Sequence, residues 1–301
     1  MNQNDKEQIS QLAVQWVADH ARNNISQKQA IARLKDVSEA TFISIMNPDK
    51  WGGISPELWR TVGYQLGWRK KSSVFVETQN ATTMLIYYGL AQDYGEMFCL
   101  LGLEGRGKTF VAEWYRDRMR GKNVFYLRCK SVHNKKYFLI DILKSMGKPY
   151  EGMNTFELME ACVYQLSRME KPLIIFDEAD KLPDELLQFF IQLYNELRFV
   201  CGIVLQGQPR FRDRVRKGIE KGKAGFRELY SRIGRRYIEL SDLSRSEIKD
   251  ICQQNGLSES EIDYAVNDCE GDMRRIDRVY IKKEAITYSE QVKAKIKKLK
   301  Q

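Results

Sequence analysis

The sequence predicts an α/β protein: a parallel sheet covered on both faces by helices, with a small helical unit before it and another after it. Three features predict this. Between residues 97 and 240, apolar strand-like runs alternate with amphipathic helical runs. One run, Leu173-Ile174-Ile175-Phe176, is apolar throughout, as a strand buried on both faces must be. The flanking segments read as short helices punctuated by Ser, Asn-Pro, Ser-Pro and Gly.

Taken in order, residues 6–20 form a helix with Ile9, Leu12, Ala13 and Trp16 on one face. Ser26 caps a helix carrying Ala30, Ile31 and Leu34, and Val37 sits in the next turn. Ser38 caps a helix over 39–46, which Asn47-Pro48 ends. Ser55-Pro56 opens a third, with Leu58, Val62 and Leu66 inside and Gly67 at its end. Short helices joined by tight turns have the layout of a helix-turn-helix unit, here 1–68. Residues 69–80 read as a linker. The core, 81–241, holds helices over 81–94, 108–119, 136–146, 155–169 and 183–197. Its strands are 97–101, 123–128, 172–176, 201–205 and 236–240. In 242–301, capping boxes Ser244/Glu247 and Ser258/Glu261 start two helices, a third begins near 272, and a basic tail follows.

At 301 residues with 43% apolar side chains, the chain can bury a sizeable core. Lys and Arg number 49 against 40 Asp and Glu, a formal charge of +9, which favours a polyanionic partner. Six Cys without C-x-x-C spacing and only two His argue against zinc and for a reducing cytoplasm. No apolar run reaches the ~20 residues of a membrane helix, and the polar N-terminus has no signal-peptide core.

Gly102-Leu-Glu-Gly105-Arg106-Gly107-Lys108-Thr109 has the pattern G-x-x-x-x-G-K-[ST] between a strand and a helix. Glycines let backbone N–H groups curl round phosphate oxygens, and the helix adds its positive end. Lys108 is expected on the β- and γ-phosphates of ATP and the Thr109 hydroxyl on Mg²⁺. Gly102, Gly105, Arg106, Gly107, Lys108 and Thr109 are the expected nucleotide-binding residues. Downstream, Leu173-Ile-Ile-Phe176-Asp177-Glu178 ends a buried strand in two acids. An acid there is costly unless it serves a cation. Asp177 is expected to hold the magnesium and Glu178 to polarise the attacking water. Asp180 reads as a helix-start charge.

Together these motifs resemble an AAA+ ATPase. That resemblance implies a first sensor at the polar strand tip Gln206-Gly207-Gln208, filled by Gln206 or Gln208. It implies a trans-acting arginine finger in Ser231-Arg232-Ile233, with Arg235 and Arg236 as competitors, and a second sensor at Arg274 in Gly271-Asp272-Met273-Arg274. With the N-terminal helices and the segment Val74-Phe75-Val76-Glu77-Thr78, the chain is similar to the phage Mu B and TnsC-type transposition regulators. Such a relative binds double-stranded DNA with little sequence preference, assembles on it as an ATP-dependent homo-oligomer, a filament or ring, and delivers the target to a transposase. The alternatives are a motor or loader for replication or secretion, or a DNA-binding regulator switched by nucleotide. Glu178 speaks against a pure switch, which needs no water activator.

Arg210, Arg212, Arg214, Arg216, Lys217, Lys221 and Lys223, interrupted by glycines, read as a mobile basic loop on a phosphate backbone. Lys282, Lys283, Lys293, Lys295, Lys297, Lys298 and Lys300 form a second basic set. The helix at 39–46 carries no Arg or Lys, so non-specific DNA or protein contact fits it better than base reading.

Overall fold

The computed structural model describes residues 3–21, 25–68, 74–119, 122–279 and 281–282. The chain divides into two compact units, residues 1–71 and 72–301.

The first unit packs α1 (Gln3–Ala21), α2 (Gln27–Ile31), α3 (Glu39–Met46) and α4 (Pro56–Gln65) around Ile9, Phe42, Ile45, Trp59 and Val62. Its turns are built locally. Ser26 and Gln29 close a capping box; the Ser38 and Ser55 side chains accept from the N–H of Thr41 and Leu58. The helix opened by Ser26 stops at Ile31, earlier than the apolar pattern suggests, and Leu34 is buried from the turn beyond. That turn is held by Gln65, whose side chain accepts from Lys35 N at 2.7 Å and donates to Lys35 O at 2.8 Å. Trp51 stands edge-on to Trp59, ring centroids 5.3 Å apart, and donates its indole N–H to Ile45 O.

The second unit opens with α5 (Gln79–Tyr94), capped by Thr78. Then follow β1 (Met97–Leu101), α6 (Lys108–Arg118), β2 (Val124–Arg128), α7 (Lys135–Ser145), α8 (Thr155–Ser167), β3 (Leu173–Asp177), α9 (Asp184–Leu197) and β4 (Gly202–Gly207). After these come α10 (Arg210–Glu220), α11 (Phe226–Arg232) and β5 (Ile238–Glu239). All strand pairs are parallel, in the order β2-β3-β4-β1-β5. Side chains alternate across this sheet with period two. Ile174, Phe176, Ile203 and Leu205 face one core layer with α7 to α11; Leu173, Ile175 and Val204 face the other with α5 and α6.

Most of the expected basic loop is a helix, and only Lys221 and Lys223 fall in the turn beyond it. In α10, Phe211, Val215 and Gly218 recur on one buried face, while the arginines between them stay outside. Gly218 lets α11 approach: a Cβ there would stand 2.4 Å from the Phe226 ring.

Beyond β5, α12 (Arg245–Gln254), α13 (Glu259–Asp268) and a helical stretch over 273–279 share a small core of Ile248, Ile251, Ile262 and Ile276. Both expected capping boxes are present. No helix among the described residues is long and apolar enough to cross a membrane.

Candidate nucleotide site

β1 ends at Leu101 and α6 begins at Lys108, so 102–107 turn at the carboxyl edge of the sheet, beside the ends of β3 and β4. Open α/β sheets bind ligands at this edge. A cleft of about 260 Å³ lies there. The loop and the first turn of α6 line it, with Asp177 at the end of β3, Glu178 and Asp180 just after it, Gln208 after β4, and Met273, Arg274 and Asp277 beyond α13.

The residues fit a nucleotide phosphate chain with its metal. Gly107, at the N-cap of α6, has φ 82° and offers no side-chain acceptor. The first-turn N–H groups have no intrahelical partner, so they remain available to an anion. Across the cleft, Thr109 Oγ1 donates to Asp177 Oδ2 at 2.6 Å. Tyr126 Oη donates to the same oxygen at 2.9 Å, and Glu178 N donates to Oδ1 at 2.9 Å. Asp177 is 1% exposed, so a carboxylate is held in the interior beside a hydroxyl. A hydroxyl and a carboxylate oxygen side by side are the kind of oxygen ligands that Mg²⁺ takes. Burial, and then Asp177, push the Tyr126 phenol far above its ordinary range.

Lys108 bends back on its own loop, donating to Gly102 O at 2.6 Å and Leu103 O at 2.8 Å. Burial pulls its ammonium below the ordinary range, while Asp177 and Glu104 act to raise it. Glu178, at φ 56°, is gripped by Arg128 through two hydrogen bonds and by Lys181 at 2.8 Å. Arg128 is the main cause that holds its carboxyl down to about 2.

The remaining expected site residues divide. Gln208 lines the cleft and donates to Glu104 Oε1 at 2.7 Å. Gln206 does not reach it: strand alternation turns it to α5, fully buried, donating to Tyr88 Oη. Arg274 lines the cleft, exposed, and its charge helps lower Lys108. Arg106 is 5% exposed and spends its guanidinium on two later segments, donating to Asp242 after β5 and to Gly271 O beyond α13. Its Nε is buried without a partner. Met273 N donates to Gly105 O at 3.1 Å, so the phosphate loop is bonded directly to the chain beyond α13.

Arg232 lies outside the cleft, on α11, bonded to Glu228 at 3.1 Å and Asn195 at 3.0 Å. Arg235 and Arg236 are exposed. The basic set on α10 and the turn after it is largely neutralised. Arg210 pairs with Asp180, Arg212 with Glu239, Arg214 and Lys223 with Asp184, and Arg216 lies 3.8 Å from Glu220. Of the C-terminal lysines, Lys282 lies over the Tyr264 ring; the others fall outside the described residues.

Sequence reasoning passed over Arg128, Tyr126 and Asp242. Arg128 carried a signal, since it ends β2 and pairs in register with Asp177 at the end of β3. Asp242 carried none, lying far from the loop in sequence.

A family model described as an AAA domain matches residues 90–215, from within α5 through the phosphate loop and β3 into α10. An AAA domain of the AAA+ ATPase family is therefore found in this chain. No curated protein matches it.

Proposed function

We propose that this chain is a DNA-binding AAA+ ATPase that assembles on double-stranded DNA in the ATP state and presents that DNA to a transposase. The observation that carries the ATPase is Thr109 against Asp177 at 2.6 Å, below an uncapped helix start. Mg²⁺ bound there would neutralise phosphate charge. The chain's own groups do the rest. First-turn N–H groups and Lys108 hold the phosphates, which requires Lys108 to leave the carbonyls of Gly102 and Leu103. Glu178 accepts a proton from the attacking water once it leaves Arg128. Gln208 and Arg274 stand at the cleft wall to read the nucleotide.

The basic surplus and the resemblance to transposition regulators support the DNA and transposase parts. On this reading residues 1–68 are a helix-turn-helix contact unit and 242–301 a lid with a basic tail. The lid would sense nucleotide through Gly105, Arg106 and Arg274. Hydrolysis then serves as a timer that releases DNA. The test is Glu178→Gln, imaged by electron microscopy with ATP and duplex DNA. Persistent helical assemblies support the reading. Closed rings of fixed size point to a motor, and release of DNA as fast as wild type removes the timer.

A further inference from the structure

The cations of α10 and of the turn that follows it are not equivalent. Arg210, Arg214 and Lys223 each hold a carboxylate, whereas Lys217 and Lys221 hold none among the described residues. These last two stand one helical turn apart and are exposed. All five line one cavity of about 420 Å³ between α10, α11 and the start of α9, against only two carboxylates, Asp184 and Asp213. Its apolar floor is Gly218 and Phe226. Positive charge gathered in a concave site with low-dielectric walls focuses the field on an entering anion. Ammonium groups and guanidinium forks together suit a phosphate better than a single carboxylate.

One wall of this cavity reaches the nucleotide cleft. Arg210 donates Nε to Asp180 Oδ2 at 2.7 Å, and Arg214 donates to Asp180 O at 3.3 Å. The Asp180 side chain is only 3% exposed. Its other oxygen accepts from Gln208 N at 3.2 Å. Asp180 and Gln208 both line the cleft. A buried carboxylate is costly to strip of its partner. An anion that draws Arg210 toward the cavity must therefore disturb Asp180, and through it Gln208.

We propose that this cavity is a second phosphate site, which takes a phosphodiester group of duplex DNA, and that the Arg210–Asp180 pair couples its occupancy to the nucleotide cleft. The proposal rests on the DNA-binding reading and gives it a place. Lys217 and Lys221 make the first contacts, having no carboxylate to leave. Arg210 follows, at the expense of Asp180. Coupling of this kind is reciprocal: nucleotide changes DNA affinity by the factor by which DNA changes nucleotide affinity.

The test uses the full chain and a fluorescently labelled duplex. Binding is titrated against salt, and phosphate release is measured with and without duplex. Lys217→Ala with Lys221→Ala should lower the logarithmic salt slope by about 2, at ~0.9 per lost phosphate contact. Asp180→Asn keeps an acceptor for Gln208 N but frees Arg210. It should bind duplex at least as tightly as wild type, while the change in hydrolysis rate caused by duplex falls toward onefold. Arg210→Gln breaks the same pair from its exposed side and should lose the same response, which covers any folding defect from the buried site. If wild type binds no duplex at low salt, the DNA reading fails and the proposal with it. If wild type binds but the double variant keeps the wild-type slope, the cavity alone is overturned. A duplex response unchanged in both pair variants overturns the coupling. If inorganic phosphate alone reproduces the duplex response, the ligand is free phosphate and the assignment to DNA is overturned.

Discussion

Arg128 closes both oxygens of Glu178 in a two-pronged grip, Nε to Oε2 at 2.9 Å and Nη2 to Oε1 at 3.0 Å. The parallel register of β2 on β3 sets Arg128 opposite Asp177, one residue before Glu178. With both oxygens occupied and Lys181 at 2.8 Å, this carboxylate is ionised and a poor base. The group expected to polarise water is thus present but withheld.

Arg128→Ala should release it. Basal hydrolysis should rise several-fold, and the acid limb of the rate against pH should move up from about 2 toward the ordinary 4.5. The stability effect has a defined sign. A depressed carboxyl pKa stabilises the fold above the unfolded value of 4.5, and this is lost as pH falls through about 2. Melting temperatures of wild type and variant should differ most near neutrality and converge below pH 4.5. A variant with unchanged basal rate and pH profile shows that the grip does not restrain Glu178.

Asp177→Asn separates metal from phosphate. The substitution keeps the size of a side chain that is 1% exposed and accepts from Thr109, Tyr126 and Glu178 N. Rotating hydroxyls can reverse their bonds, so the stability cost should be about 1–2 kcal/mol. Nucleotide affinity in Mg²⁺ should fall on the order of tenfold or more, as for other disturbed metal sites. In chelator, mutant and wild type should bind a fluorescent ATP analogue alike. Equal loss in both conditions assigns Asp177 to the loop's structure.

Gly105→Ala tests the bond between the phosphate loop and the chain beyond α13. Gly105 sits at φ 72°, and a Cβ there would stand 1.8 Å from Asp272 Oδ1 and 2.7 Å from Asp272 Cα. A backbone contact that close cannot be relieved by rotating a side chain. The Gly105 O to Met273 N bond should break, at a cost of about 2 kcal/mol with the left-handed strain included. Amide exchange at 271–276 should accelerate while the β3 and β4 amides keep their protection. Uniform exchange across both regions counts against a local link.

These sites show what the sequence made legible. β3 was readable because four apolar residues followed by two acids permit few other structures. The phosphate loop was readable because its glycines and Lys108 act within one turn. α10 was not. Only Phe211, Val215, Gly218 and Ile219 break its charged residues, so an amphipathic stripe looked like a loop. The choice between Gln206 and Gln208 turned on where β4 ends: within the strand, alternation sends Gln206 into the α5 layer, and the turn beyond frees Gln208. Arg106 with Asp242, and Arg128 with Glu178, are contacts between distant segments. Local spacing holds no trace of the first, and the second needed the strand order.

Arg232 gives the sharpest test of assembly. Within this chain it does not line the cleft. It is held on α11 by Glu228 and Asn195, with its guanidinium 5.8 Å from the centre of the Tyr194 ring. Either it serves a neighbour's nucleotide or it only braces α11 against α9. Glu228 shares its helix, four residues away, and that pair is worth only about 0.3–0.5 kcal/mol, so departure toward a phosphate gives up chiefly the Asn195 bond and the Tyr194 contact. Arg232→Ala should therefore bind ATP nearly normally and melt close to wild type, but neither assemble on duplex DNA nor hydrolyse. Glu178→Gln should assemble without hydrolysing. When the two are mixed, some interfaces pair an intact Arg232 with an intact Glu178, and those should regain turnover at a fraction of the wild-type rate. Phosphate release is measured across mixing ratios with duplex present, and co-assembly is checked by fluorescence energy transfer between labelled chains. Recovery that peaks at an intermediate ratio is the signature of a residue acting across the interface. Co-assembled mixtures with no recovery at any ratio assign Arg232 to its own subunit, and the same experiment then passes to Arg235 and Arg236.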